Sequence, residues 1–165
     1  MTRRTSDEAA ADAGQLRSRS LFTIRMSLHP VQDLGATPLG RRRVVPVAGG
    51  SFEGERLRGV VLPLAGSDWL LERADGSFQQ DARVTLATAD GALITMCYRG
   101  VRHAPPEVSA RLARGEQVDP REYYLRTAPF FETSATPYSW LNHVVAVGVG
   151  ERLPDGVEYR VFEVL

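Results

Sequence analysis

Two Asp-Gly dipeptides, Asp75-Gly76 and Asp90-Gly91, stand between runs of alternating polarity and constrain this chain more than any other feature. A two-residue hairpin turn needs positive φ at its centre, which glycine adopts freely and aspartate tolerates. From Phe78 to Thr88, Ala82, Val84 and Leu86 share one face; Asp81, Arg83 and Thr85 share the other. From Ala92 to Val101, Ile94, Met96 and Tyr98 face one way, while Leu93, Thr95, Cys97 and Arg99 face the other. With the run from Gly66 to Glu72 before the first turn, these segments predict an antiparallel meander.

The rest of the chain extends the pattern. Leu21 to Leu28 alternates as a half-buried strand closed by His29-Pro30, and Gly35, Pro38 and Gly40 mark a loop. Arg41 to Val47 and Arg56 to Pro63 read as strands, with a bulge or close backbone approach at Gly49-Gly50 between them. Pro105 to Val118 changes to a helical period that Gly115 ends. Tyr123 to Phe131 and Ser139 to Val149 are strands around a corner marked by Pro129 and Pro137. A turn at Pro154-Asp155-Gly156 leads into a last strand, Val157 to Leu165. About nine strands, one short inserted helix and no βαβ alternation predict an all-β, antiparallel barrel or sandwich. The polar stretch 1–18 is expected to be a disordered tail, and 19–165 a single domain large enough to bury its own core.

Charge and residue usage narrow the function. Twenty basic and twenty acidic residues cancel, which argues against an electrostatic nucleic-acid or membrane binder. All the basic residues are Arg, so Schiff-base catalysis and a lysine-dependent phosphate loop are excluded. Cys97 is the only cysteine, so neither an intrachain disulfide nor a cysteine zinc cluster can form. No run approaches the ~18 apolar residues of a membrane span, and Met1 to Gln15 lacks the apolar core of a signal peptide. A cytoplasmic location is expected.

Familiar catalytic signatures fail. Gly50-Ser51-Phe52-Glu53 lacks the closing glycine of a nucleophile elbow. Gly148-Val149-Gly150 begins a dinucleotide fingerprint, but Leu153 occupies the third glycine position and no helix follows. His29, His103 and His143 are too widely spaced to suggest a metal site. No cofactor or metal is expected.

Several motifs in fixed order carry a resemblance. Gly49-Gly50-Ser51-Phe52-Glu53-Gly54, Gly66-Ser67-Asp68-Trp69, Asp75-Gly76, Asp81-Ala82-Arg83 and Asp90-Gly91-Ala92-Leu93-Ile94 come first. Tyr123-Tyr124-Leu125-Arg126-Thr127, Phe131-Glu132-Thr133 and Tyr138-Ser139-Trp140-Leu141-Asn142 follow. Together they resemble the bacterial and fungal domain-of-unknown-function family 3237 over Leu21 to Leu165. The resemblance implies a closed, lipocalin-like (calycin) β-barrel that self-associates as a homo-oligomer, a dimer. It further implies work in aromatic-compound or natural-product metabolism, with some members acting as cofactor-free cyclases or isomerases. The helical stretch Pro105 to Val118 departs from the family pattern and bears on the barrel mouth.

In a small barrel one strand face points to the lumen. Asp68, Arg83, Tyr98 and Tyr124 are the catalytic candidates; Trp69, Arg126, Glu132, Tyr138, Trp140 and Asn142 are the substrate-binding candidates. Asp68 serves as general base if burial beside Trp69 raises its pKa. Arg83 or Arg126 stabilises a developing enolate or phenolate, Tyr98 or Tyr124 delivers a proton, and Asn142 orients a carbonyl. The expected ligand is a small aromatic or polyketide-like molecule that undergoes cyclisation, isomerisation or lyase-type addition and elimination. Two plainer readings stand beside this one. A barrel can carry such a molecule without reacting it, and Tyr138-Ser139-Trp140 can simply plug a barrel end. Asp68 and Trp69 must face opposite ways on a regular strand, whereas Tyr124 and Arg126 share a face.

Overall fold

The computed structural model describes residues 15–64 and 66–165. The tail expected over 1–18 lies outside the described residues up to residue 14, and a strand already begins at Ser18. The strands are β1 (Ser18–Leu28), β2 (Gln32–Thr37), β3 (Gly40–Glu53), β4 (Arg58–Val61), β5 (Ser67–Glu72), β6 (Phe78–Thr88), β7 (Leu93–His103), β8 (Tyr124–Glu132), β9 (Ala146–Leu153) and β10 (Gly156–Val164). One α-helix, α1 (Pro106–Ala113), and 3₁₀ turns at Pro120–Glu122 and Thr136–His143 interrupt them.

Every strand pairing is antiparallel, and the ladder closes on itself into an eight-strand barrel. The order runs β1–β10–β9–β8–β7–β6, and β6 reaches β3 through β4 and β5, which share one strand position. β3 then pairs back onto β1. β3 is long enough to hold two partners along each edge: β2 and β5 on its first half, β1 and β4 on its second. At Gly50, with φ +155°, a Cβ would sit 2.0 Å from the Arg25 carbonyl oxygen, so β1 and β3 approach closely only because glycine is there. Both Asp-Gly pairs form hairpin turns and the meander β5–β6–β7 follows, but each loop is longer than two residues. Gly76 N–H donates to Arg73 O and Gly91 N–H to Thr88 O, and of each pair only the glycine, at φ of 79° and 88°, has positive φ.

Two elements differ from the sequence reading. The loop expected around Gly35 is mostly strand β2, whose register slips between Asp33 and Gly35 and so hides its alternation. The strand expected from Ser139 is a 3₁₀ turn up to His143, and β9 starts at Ala146. Pro137 sits in the first turn of this 3₁₀ segment, where a missing N–H costs nothing, and Leu141 is buried from it.

The alternation becomes an inside and an outside. At the end of the barrel holding the β6–β7 turn, Phe22, Ile24, Phe52, Leu86, Ile94 and Leu141 are all buried. Phe22 meets Phe52 and Phe131 edge to face, with centroids 5.7 and 5.8 Å apart. Leu141 is the stopper of this end. Outside it, Glu163 accepts from Arg19 at 2.9 Å and from Arg56 at 2.5 Å, and Arg56 lies over the Trp140 ring at 3.7 Å. The opposite end is covered by α1. No helix among the described residues is long and apolar enough to cross a membrane.

Leu141→Ala would leave a cavity in a rigid apolar end and is expected to cost about 2–5 kcal/mol, read from urea unfolding. A loss below about 1 kcal/mol would show that this end of the barrel does not depend on its stopper.

Candidate functional site

Between the apolar end and α1 the inward-facing residues turn polar. On β5, Asp68 and Leu70 point inward while Trp69 points out and is 54% exposed. The β5–β6 ladder pairs Asp68 with Ala82 and resumes only at Leu71 and Gln79. In that interruption Asp68 Oδ1 accepts the Asp81 backbone N–H at 2.9 Å. Burial pushes the Asp68 carboxyl up to about 6, against the pull of that hydrogen bond and of the positive charges on Arg102 and Arg152. The burial comes from the barrel interior rather than from Trp69, which corrects the cause expected from the sequence.

Tyr98 of β7 and Tyr159 of β10 face each other in this interior, with ring centroids 5.5 Å apart. Burial holds both phenols above their usual range, and the charge of Asp68 adds to it, so both remain protonated donors. Gly150 of β9 makes room for Tyr159. A Cβ on Gly150 would meet the Tyr159 ring at 2.6 Å and the Leu125 side chain at 2.5 Å. Gly148-Val149-Gly150 is therefore a flat stretch of barrel wall.

Two residues beyond Gly100, on the same face as Tyr98, Arg102 lies over the Phe78 ring at 4.2 Å. Arg43 approaches that ring at 5.6 Å but is held by Glu72 at 2.8 Å. Arg152 enters from the end of β9, where its backbone N–H donates to the Tyr123 hydroxyl at 2.8 Å. Burial, with the Arg152 charge next, draws the Arg102 guanidinium down to about 10. Among the described residues neither Arg102 nor Arg152 enters an ion pair, whereas Arg19, Arg41, Arg43, Arg56 and Arg111 all do. Gln80 of β6 is 4% exposed, and its Oε1 has no hydrogen-bond partner.

These groups border two adjoining cavities. An inner one of about 40 Å³ is lined by Asp68, Gln80, Tyr98, Arg102, Arg152 and Tyr159 among others. An outer one of about 450 Å³ lies beneath α1, walled by Leu28, Val31, Leu70, Phe78, Leu112 and Pro154. Arg102, Arg152, Leu28, Val45 and Leu70 border both. α1 thus roofs the barrel mouth.

Of the residues named from the sequence, Asp68 and Tyr98 meet at this interior. Arg83 is exposed on the outer face opposite Ser67. Tyr124 stacks outside on His103 at 5.1 Å, Arg126 lies over its ring at 4.9 Å, and Glu132 is exposed at the far end of β8. Tyr138 donates to Asp90 at 2.8 Å, and Trp140 packs under Arg56, both at the stoppered end. Asn142 is committed to the backbone: its Oδ1 accepts from Thr133 N–H and its Nδ2 donates to Thr133 O, each at 2.9 Å. Gln80, Arg102, Arg152 and Tyr159 complete the interior and were not among the candidates. Extending the Ile94, Met96, Tyr98 face by two steps reaches Arg102, so that signal was available. Among the described residues no group of three or more His, Cys, Asp or Glu could hold a metal ion.

Because the folded chain binds the Asp68 proton more tightly than the unfolded chain, stability falls as pH rises from about 4 through 6. Asp68→Asn keeps an oxygen for the Asp81 N–H and removes the buried charge. The variant is expected to melt roughly 3–8 °C above wild type at pH 8, with the gap closing near pH 4. An equal or lower melting temperature at pH 8 would contradict the strained carboxylate.

The comparisons with known proteins agree with the barrel. The model of the family described as protein of unknown function, DUF3237, matches residues 17–164. A UPF0311 protein of Rhodopseudomonas palustris is 37% identical over 150 residues, covering 91% of this chain and 97% of its own length. The crystal structure of that conserved protein of unknown function superposes with a TM-score of 0.88 at 36% identity, over 92% of this chain and 99% of that one. A β-barrel like protein from Acinetobacter baumannii gives a TM-score of 0.80 at 39% identity, over 92% and 97%. A chain described as an enzyme from Penicillium herquei shares the fold, with a TM-score of 0.69 at 22% identity over 91% and 95%.

Proposed function

We propose that this chain, which belongs to the DUF3237 family of proteins of unknown function, is a cofactor-free acid–base enzyme working inside its barrel on a small aromatic or polyketide-like substrate. The observation that supports this reading is the carboxylate of Asp68, destabilised by burial and facing two unpaired guanidinium groups and two protonated phenols. A base whose pKa lies just below neutrality is largely ionised at pH 7 yet still able to take a proton.

The chemistry follows from the roles. Asp68 removes a proton from a carbon next to a substrate carbonyl. The C–H electron pair moves into the adjacent C–C bond, and the carbonyl oxygen gains the negative charge. Arg102 and Arg152 face that oxyanion, taking the part that the sequence assigned to Arg83 or Arg126. Tyr98 or Tyr159 donates a hydrogen bond to it. Return of the proton from Asp68 to a different carbon gives isomerisation; attack of the enolate on a second carbonyl carbon of the same molecule breaks that C=O π bond and gives cyclisation, the resulting alkoxide taking the proton from Asp68. A second reading, a barrel that carries such a molecule unchanged, is favoured by the small inner cavity, which admits a head group rather than a whole substrate.

The test is deuterium uptake at the α-carbons of 2-tetralone, a planar ketone, followed by NMR in heavy water. Wild type should exceed the buffer rate, with activity rising through pH 6 as Asp68 ionises. Asp68→Asn should lower the enzymatic rate by about 10²–10⁴-fold, and Arg83→Ala should leave it unchanged. Equal rates in wild type and Asp68→Asn would remove Asp68 from the chemistry.

A further inference from the structure

The charges lining the inner cavity do not balance. Arg102 and Arg152 bring two positive charges and Asp68 brings one negative, an excess of one positive charge within this cavity; Asp155 borders the outer chamber but forms no ion pair with either arginine. Taking a cation out of water is costly unless a counter-charge and hydrogen bonds replace the lost hydration. Arg19, Arg41, Arg43 and Arg111, among others, pair with carboxylates; among the described residues Arg102 and Arg152 have no such partner and border a cavity instead. Gln80 is a second, independent sign. It is 4% exposed, borders the same cavity, and keeps an oxygen without a donor. Orphaned polar atoms of this kind are rare in folded proteins and call for a missing partner.

The cavities give the shape. About 40 Å³ of space open to water centres is room for roughly three waters, so the inner chamber takes a head group of a few atoms. About 450 Å³ beneath α1 suits a fused-ring or acyl body among Leu28, Val31, Leu70, Phe78 and Leu112. Arg43 and Asp155 also border this outer chamber; Arg43 is already held by Glu72.

We propose that the interior site takes a small planar monoanion, its charge shared over two oxygens held by Arg102 and Arg152, and its apolar body lodged beneath α1. The inference rests on the reading of the barrel interior as the ligand site and names the class of ligand. Two sources carry the required chemistry: a carboxylate on an aromatic or acyl body, and the enolate of a β-dicarbonyl compound. A planar guanidinium suits either, since both present two coplanar oxygens.

Isothermal titration calorimetry on the intact chain tests this. The probes are 2-naphthoate for the carboxylate, the enolate of 2-acetyl-1,3-cyclohexanedione for the β-dicarbonyl, and 2-naphthamide and 2-acetylnaphthalene as neutral controls. At least one anion should bind about tenfold or more tighter than the neutral probes. Arg102→Met and Arg152→Met should each remove that advantage, while Arg83→Met keeps it. Binding of only one anion assigns the ligand to that source; binding of both supports the shared chemistry. Equal affinity for anions and neutrals, or no anion binding at millimolar concentration, would overturn the proposal. Should both arginine variants fail to fold, the anion-against-neutral comparison in wild type still decides. Asp68→Asn separates this proposal from the enzymatic one. Anion binding that persists in that variant, with no deuterium uptake even in wild type, leaves a carrier of monoanions and ends the catalytic reading. Uptake into 2-tetralone without anion binding does the reverse.

Discussion

The structure depends on closure of the antiparallel ladder, from β1 through β10 and back to β1 by way of β3. Side chains on a strand alternate with period two. An open sheet turns that alternation into two solvent-facing choices, whereas a closed one turns it into a sealed lumen and an outer wall. Every polar residue on the inward face must then be satisfied by another inward residue, by a ligand or by water. Apolar packing meets this condition at the stoppered end through Phe22, Phe52 and Leu141. Toward α1 it is left open, and there Asp68, Gln80, Arg102 and Arg152 gather.

The polar interior opposes stability. A carboxyl raised by burial, an arginine lowered by burial and an amide oxygen without a donor each cost free energy in the folded chain. The surrounding wall is fitted to keep them there. Gly150 clears the space that the Tyr159 ring fills, and the break in the β5–β6 ladder lets Asp68 take a backbone N–H in place of a main-chain acceptor. A core under selection for packing alone would replace such groups with apolar ones, as the opposite end of the same barrel does. That contrast between the two ends is the physical basis for reading one of them as a site.

Much of the barrel was legible because the information is local. Asp75-Gly76, Asp90-Gly91 and the alternation around them fix β5 to β7 without reference to the rest of the chain. Asp68 and Tyr98 were found on the same basis, and the parity rule that set Trp69 against Asp68 held. The choice of inward face could not be settled locally where both faces are mixed, and the outward placement of Arg83, Tyr124 and Arg126 shows this. Arg102 and Arg152 were passed over because an arginine near a strand end usually lies in water, and only closure beneath α1 removes them from it. Asn142 looked like a ligand contact but is spent on the Thr133 backbone, a pairing across a corner that spacing does not reveal. β2 does not show as a strand in the sequence because its bulge breaks the alternation.

The central claim is that the polar interior, and not the aromatic outer wall, is where this barrel meets its ligand. A crystal structure of the chain soaked with 2-acetyl-1,3-cyclohexanedione tests it most directly. The anionic oxygens are expected within hydrogen-bonding distance of the Arg102 and Arg152 guanidinium groups, with the ring body beneath α1. Density for the compound against Tyr124 and Arg126 on the outside, with the interior occupied by water alone, would contradict it.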